Sequence, residues 1–255
     1  MVSNRLRSAS YAAILHLIAS LAIAISIAML VFWLWFPYPY RELVGGRELF
    51  LLIIGIDAIC GPLLTAIVFN PKKSKRELTQ DLCLVALIQL AALSYGIFIL
   101  SQARPVYTVF EVDRFRVITA ADVLKDKLQP KQGGLQILPW TGPLVIGTRT
   151  ASGGKELMES LDLSLAGIDP SMRPDWWQPY EKSKSAALAK AERVEVLREK
   201  HPTLLPLIDQ AIKDSGLPDK YLAWLPLTSF RSLNWVVFID SRTAELKAFA
   251  PIDGF

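Results

Sequence analysis

The sequence predicts a membrane protein: a three-helix transmembrane bundle followed by an α+β domain on the far side of the bilayer. Three observations predict it. The chain of 255 residues is 52% hydrophobic, slightly above the roughly 45–50% of soluble domains. That excess is concentrated in the first hundred residues, where three long apolar runs lie. The remaining stretch has the charge content and punctuation of a soluble domain large enough to bury its own core.

The runs are Tyr11 to Phe36, Leu49 to Phe69 and Leu82 to Leu100. Each comes near the ~20 residues needed to cross ~30 Å of hydrocarbon at about 1.5 Å per residue. A helix also satisfies its own backbone groups, as lipid demands. Arg5 and Arg7 before the first run imitate a signal peptide. The apolar stretch is longer than a signal core of about 7–15 residues, however, and no small-residue cleavage site follows. It ends in Phe32-Trp33-Leu34-Trp35-Phe36-Pro37-Tyr38-Pro39-Tyr40, an aromatic cluster of the kind enriched at membrane–water interfaces.

Charge sets the orientation. Arg5 and Arg7 precede the first run, and Lys72, Lys73, Lys75 and Arg76 fill the second connection. The first connection has Arg41 and Arg47 beside Glu42 and Glu48. Positive loops stay inside. The N-terminus and the Lys72–Arg76 loop are therefore expected in the cytoplasm. Three spans then put everything beyond about Gln102 outside, which in a bacterium is the periplasm. The expected division is 1–103 for the membrane region and 104–255 for a periplasmic α+β domain.

Few polar residues interrupt the spans: His16, Asp57, Thr65, Gln89 and some serines. A carboxylate near mid-bilayer costs roughly 2.5–3.5 kcal/mol, so Asp57 must find a partner or be protonated. Helix rise puts Asp57 and Gln89 at depths within about 10 Å of each other. Two readings stand side by side: a hydrogen bond that holds the bundle together, and contact with a polar group on a partner's helix. Proton relay is a third. Pro62 removes a backbone donor, while Gly55 and Gly61 offer small surfaces for close helix approach. Gly55, Asp57, Gly61, Pro62 and Gln89 are thus the candidate partner-binding residues, with packing inside the bundle as the plainer alternative. Cys60 and Cys83 lie at different depths, which argues against a disulfide between them.

The soluble part opens at Arg104-Pro105. Val106 to Ile118 reads as a hairpin turning near Asp113-Arg114. Thr119 is placed to cap a short helix running to about Lys127. Leu135 to Thr148 reads as one or two short strands, and Lys155 to Leu165 as a helix. Trp176-Trp177 in a proline-rich loop is either packed within the domain or an anchor for a partner or membrane. Tyr180 to Glu199 has the periodicity of a single helix, and Leu204 to Asp214 that of another, with Gly216 suited to its end. Tyr221 to Leu227, Trp235 to Asp240 and Ala244 to Ala250 read as strands, the last two joined by a turn at Ser241-Arg242-Thr243. The order is strands, helices, then antiparallel strands, without βαβ alternation.

No catalytic signature is present: no Walker loop, HExxH, CxxC or GxSxG. His16 and His201 are the two histidines, one in the membrane and one at a helix end, where the dipole favours a cation. They cannot form a metal site together. No basic stripe with interleaved aromatics points to nucleic acid. The expected protein is not an enzyme and carries no cofactor and no metal. Two competing readings are a membrane-anchored envelope sensor or scaffold with a periplasmic binding domain, and an intramembrane enzyme using Asp57. The short cytoplasmic loop holds no output domain for the first. The second needs paired carboxylates, and the spans hold one deep acid.

Trp35-Phe36-Pro37-Tyr38-Pro39-Tyr40-Arg41-Glu42-Leu43, Gly45-Gly46-Arg47-Glu48-Leu49-Phe50, Gly55-Ile56-Asp57, Gly61-Pro62-Leu63-Leu64-Thr65 and Phe69-Asn70-Pro71 together resemble type IV pilin accessory proteins of the TfpX/TfpZ kind. Arg104-Pro105-Val106 and Phe110-Glu111-Val112-Asp113-Arg114-Phe115 add to the resemblance. It is detailed from about Trp35 to Asp122 and looser beyond. It implies a non-enzymatic inner-membrane factor of type IV pilus biogenesis that stabilises, presents or assembles its own major pilin. Other inner-membrane pilus assembly components are further implied partners, with the lipid bilayer as the solvent of the spans. Pilins awaiting assembly have a membrane helix and a periplasmic head, and the layout here has a part to meet each. From this follows the expectation that the Gly55–Pro62 face meets the pilin helix, with Asp57 near its polar N-terminal region, and that an exposed strand edge holds the head.

Overall fold

A computed structural model describes residues 2–128 and 138–255. Its contacts divide the chain into two units, Met1–Leu34 with Gly45–Gln102 and Trp35–Val44 with Ala103–Phe255.

The first unit holds α1 (Val2–Leu34), α3 (Gly46–Val68) and α4 (Lys75–Ala103). All three contain spans long and apolar enough to cross a membrane, Arg7–Leu34, Gly46–Val68 and Lys75–Ala103. Most of their apolar side chains point outward, as lipid-facing surfaces do; Ile18, Ile59 and Leu87 are examples. α1 and α3 pack side by side. Phe32 meets Phe50 edge-on with centroids 5.1 Å apart, and His16 Nδ1 lies 2.6 Å from Thr65 Oγ1. α3 runs unbroken through Pro62. Cys60 and Cys83 are both free.

The second unit is a mixed sheet with helices on both faces. Its strands are β1 (Pro105–Glu111), β2 (Arg114–Thr119), β3 (Leu144–Thr148), β4 (Trp177–Pro179), β5 (Glu192–Arg193), β6 (Leu222–Ser229), β7 (Trp235–Asp240) and β8 (Leu246–Ala250). The order is β4-β3-β1-β2-β6-β7-β8, with β5 also paired to β6. The β1–β2 hairpin and the antiparallel β6–β7–β8 run appear as the alternation predicts. Parallel pairing of β1 with β3 and of β2 with β6 was not expected. A local pattern reports which residues are buried, not which distant strand lies alongside. β1 and β7 are buried at every position, as strands covered on both faces are.

Several elements differ from expectation. The helix expected over Tyr180–Glu199 breaks into α6 (Lys184–Lys190), β5 and α7 (Val194–Lys200). Ala187 packs with Leu225 and Val237, while Val194 and Leu197 pack with Trp224 and Phe238 in a separate cluster. Ala191 is extended at φ −71°, ψ 136°, and Trp224 Nε1 donates to the Arg193 carbonyl at 3.1 Å. One straight helix could not serve two cores. The helix expected after Thr119 is instead a turn, in which the Thr119 amide and hydroxyl both donate to Asp122 Oδ2 at 2.8 Å. A single 3-10 turn follows at Lys125–Lys127. Of the segment Leu135 to Thr148, positions 135–137 lie outside the described residues, and the described part holds one strand, β3. α5 (Gly154–Leu165) and α8 (Leu205–Ser215) match their predicted helices, and Gly216 closes α8 at φ +69°.

Both tryptophans of the proline-rich loop pack within the domain. Trp176 is buried between the Arg149 and Arg173 guanidinium groups, each 4.6 Å from the ring. Trp177 Nε1 donates to the Ser171 carbonyl at 2.7 Å, and its ring lies 4.7 Å from Tyr107. Burial pushes the Tyr107 hydroxyl up to about 12.

Part of the aromatic cluster after the first span packs into the α+β domain. Phe36 and Leu43 are wholly buried and Tyr40 nearly so. The short helix α2 (Tyr40–Leu43) belongs to the same unit as the sheet. Thr108 Oγ1 donates to the Tyr40 hydroxyl at 3.1 Å, and the Tyr40 ring lies 5.8 Å from Phe249. These rings are core residues of the α+β domain, whereas Trp33 remains largely exposed.

Candidate functional site

Helical spacing puts Asp57 and Gly61 on one face of α3, four residues apart. Gln89 reaches that face from α4, and its Nε2 donates to Asp57 Oδ1 at 3.3 Å. This is a long bond near the limit of useful geometry. It offsets part of the cost of an acid in the span without using up the carboxylate. Among the described residues Oδ2 accepts no hydrogen bond, and it remains available.

Gly61 explains how Gln89 gets there. A Cβ at position 61 would overlap the Gln89 amide, so only glycine lets that side chain lie flat against α3. Further along, a Cβ on Gly96 of α4 would press on Ile53 of α3. Gly55 is different, because open space surrounds the position a Cβ would take. The structure thus divides the two α3 glycines: Gly61 serves a contact inside the bundle, and Gly55 faces no neighbour. Pro62 is half-buried on the turn after Gly61, and with no N–H it leaves the Ala58 carbonyl without its helical donor.

Between α3 and α4 runs a groove of about 330 Å³, lined by Ile53, Ile56, Ile88, Leu93 and Ile99 around Asp57 and Gln89. Its walls are hydrocarbon, and its midpoint carries one carboxylate and one amide. The sequence signalled the polar pair. It did not signal the groove, because α4 contributes its wall through residues that read as ordinary lipid-facing leucines and isoleucines. No group of three or more His, Cys, Asp or Glu side chains comes together among the described residues. His201 sits at the C-terminal end of α7 with its Nε2 buried and unpartnered.

A family model described as Fimbrial assembly protein FimB matches residues 4–45. Fimbrial assembly protein, serogroup I, of Dichelobacter nodosus is 34% identical over 259 residues, covering 100% of this chain and 99% of that protein. Fimbrial assembly protein, serogroup E1, of the same organism is 33% identical with the same coverage. Fimbrial assembly protein, serogroups C1 and C2, is 42% identical over 128 residues, half of this chain and 98% of that protein. No solved structure matches. The likeness to the first two runs the full length of the chain, through the apolar helices and the α+β domain alike, and the chain belongs to the fimbrial assembly protein family.

Proposed function

We propose that this protein is a non-enzymatic accessory factor of type IV pilus biogenesis that binds its major pilin in the bacterial inner membrane. The family and the names of its full-length relatives support a role in fimbrial assembly. The groove between α3 and α4, apolar along its walls and polar at Asp57, carries the finer reading. A single apolar helix with one polar or charged group is the complement of such a groove. In lipid, where helices associate by close packing and hydrogen bonding, the free Asp57 oxygen is the strongest acceptor on offer. A pilin's membrane helix, with its amine end, has that chemistry. Gly61 gives Gln89 the room to orient the carboxylate, while Gly55 and Pro62 lie outside the groove lining and would serve a second contact face of α3.

Orientation follows from charge and connectivity. Trp35–Val44 packs in one unit with Ala103–Phe255, which supports the reading that the connection between α1 and α3 lies on the same side of the bilayer as the α+β domain. The Lys72–Arg76 loop is then on the opposite side, the cytoplasm by the positive-inside rule, and the domain is periplasmic. There it is within reach of the pilin head. The sheet ends in β4 and β8, and these edges are where an added strand would pair.

A photocrosslinking scan along α3 tests the reading. Probes at Ile53, Ile56 and Cys60, which line the groove, capture the pilin, and probes at Leu51 and Leu63 do not. Capture at Leu51 and Leu63 with none at the groove positions sinks it.

A further inference from the structure

We propose that the α+β domain carries a second binding site, a cleft that takes an apolar polypeptide segment bearing a lysine or arginine, with Glu111 as the acceptor. The cleft holds about 1000 Å³, the upper end of the usual range for ligand sites. It lies where β1 ends, β2 begins and α5 passes by. Its rim is apolar and open: Phe230 is 85% exposed, Leu233 60% and Leu161 50%. These side chains form part of one lining, which scattered surface leucines do not.

Glu111 lines this cleft and is only 8% exposed. Its carboxylate makes no hydrogen bond or ion pair among the described residues. Buried charges are normally paired, and a carboxylate that faces a cleft without a bonded partner is open to a cation. Of the cations that line the cleft, Lys182 is exposed to solvent, and Arg114, Arg116 and Arg149 are engaged elsewhere. Arg114, its cross-strand neighbour in register, bonds Asp113 at 2.8 Å. Arg116 pairs with Asp169. Arg149 grips both oxygens of Glu156, at 3.1 and 2.6 Å. Arg173 attracts Glu111 electrostatically; one guanidinium nitrogen donates to Ser160, and its Nε has no partner among the described residues.

Besides the Lys182 ammonium, the free capacity among the described lining residues is for donors. The Thr148 and Thr228 hydroxyls spend their protons on the Phe110 and Phe115 carbonyls, leaving oxygen lone pairs toward the cleft. Gln178 spends its amide nitrogen on the Thr148 carbonyl and Ser183. Acceptors of this kind suit peptide N–H groups and a side-chain cation. A lipid chain would strip them of water and return nothing. Val112, at φ +57° and 71% exposed, holds an isopropyl group out at the lip in a backbone region that β-branched residues avoid.

This inference is independent of the groove between α3 and α4, and so is its test. The full-length protein in nanodiscs is titrated with a fluorescent dodecapeptide of valine and leucine around one central lysine. Two control peptides replace that lysine with glutamate or norleucine. Saturable binding of the lysine peptide is expected, weakened about tenfold by Glu111→Gln and lost with Leu161→Asp or Phe230→Asp. The norleucine peptide binds weakly and is indifferent to Glu111→Gln. Unchanged melting of each variant shows that the fold is intact. Equal binding of lysine and glutamate peptides, indifference to Glu111→Gln, or equal uptake by empty nanodiscs overturns the proposal. So does the absence of saturable binding. None of these outcomes bears on pilin capture along α3.

Discussion

The Ser229 hydroxyl donates to the Leu43 carbonyl at 2.6 Å, joining positions 186 residues apart. The same oxygen accepts the Arg231 and Ser232 amides at 3.1 and 3.0 Å. One hydroxyl therefore organises the end of β6 and fastens the connection between the first two spans to the sheet. That connection is structural material of the α+β domain.

Removing this fastening weakens the domain. Leu43 is wholly buried, and Leu43→Ala is expected to cost about 2–5 kcal/mol. Ser229→Ala leaves a buried carbonyl and two amides short of a partner and costs about 1–3 kcal/mol. Denaturant unfolding followed by tryptophan fluorescence measures both. Wild-type midpoints in both variants would contradict the packing described here.

The two α3 glycines separate by substitution. Gly61→Ala displaces Gln89 and breaks its bond to Asp57, lowering the thermal stability of the detergent-solubilised bundle by about 1–3 kcal/mol. Gly55→Ala meets open space and is neutral or stabilising, since alanine favours helix by up to ~1 kcal/mol. If the pilin helix also touches the α3 face outside the groove, a bulkier Gly55→Leu keeps normal protein levels and lowers pilin crosslinking. Normal crosslinking in Gly55→Leu removes Gly55 from the proposed contact.

Asp57→Asn keeps the size and the hydrogen bond but not the charge. Membrane levels are expected to stay normal or rise, because insertion becomes cheaper. Pilin capture and surface piliation fall. A mutant with full piliation restricts Asp57 to holding α3 against α4.

Orientation is open to direct labelling. A cysteine at Ser74, in a Cys60→Ser, Cys83→Ser background, reacts with a membrane-impermeant maleimide in inside-out vesicles and not in spheroplasts. A cysteine at Asp253 gives the opposite pattern. Matching accessibility of the two positions would refute a three-span layout.

Acid weakens the last hairpin in a defined window. Arg242 hydrogen bonds hold Asp240 down to about 2, below its ordinary 3.8. A carboxyl lowered by folding adds stability above its unfolded value and loses it as pH falls through the folded value. Stability should drop between about pH 4 and pH 2, with Glu156, held at about 2 by Arg149, contributing over the same range. Arg242→Ala flattens the Asp240 part of that slope. An unaltered acid-unfolding curve in this variant removes the pair from the account.

Hydropathy and local periodicity were enough for the three apolar helices, the β1–β2 hairpin, α5, α8 and the three C-terminal strands. Lipid solvation and burial act residue by residue, so they leave marks at fixed local spacing. Asp57 and Gln89 were legible for a related reason: helix rise converts sequence position into depth. What lay beyond the sequence was decided by long-range partners. Nothing local in Tyr40–Leu43 announces Thr108, Phe249 or Ser229. The identical helical spacing on either side of Ala191 conceals two separate cores. The parallel strand pairs, the α3–α4 groove and the cleft that holds Glu111 likewise exist only where distant segments meet. Burial is written into the chain one position at a time, and partnership arises when the chain closes on itself.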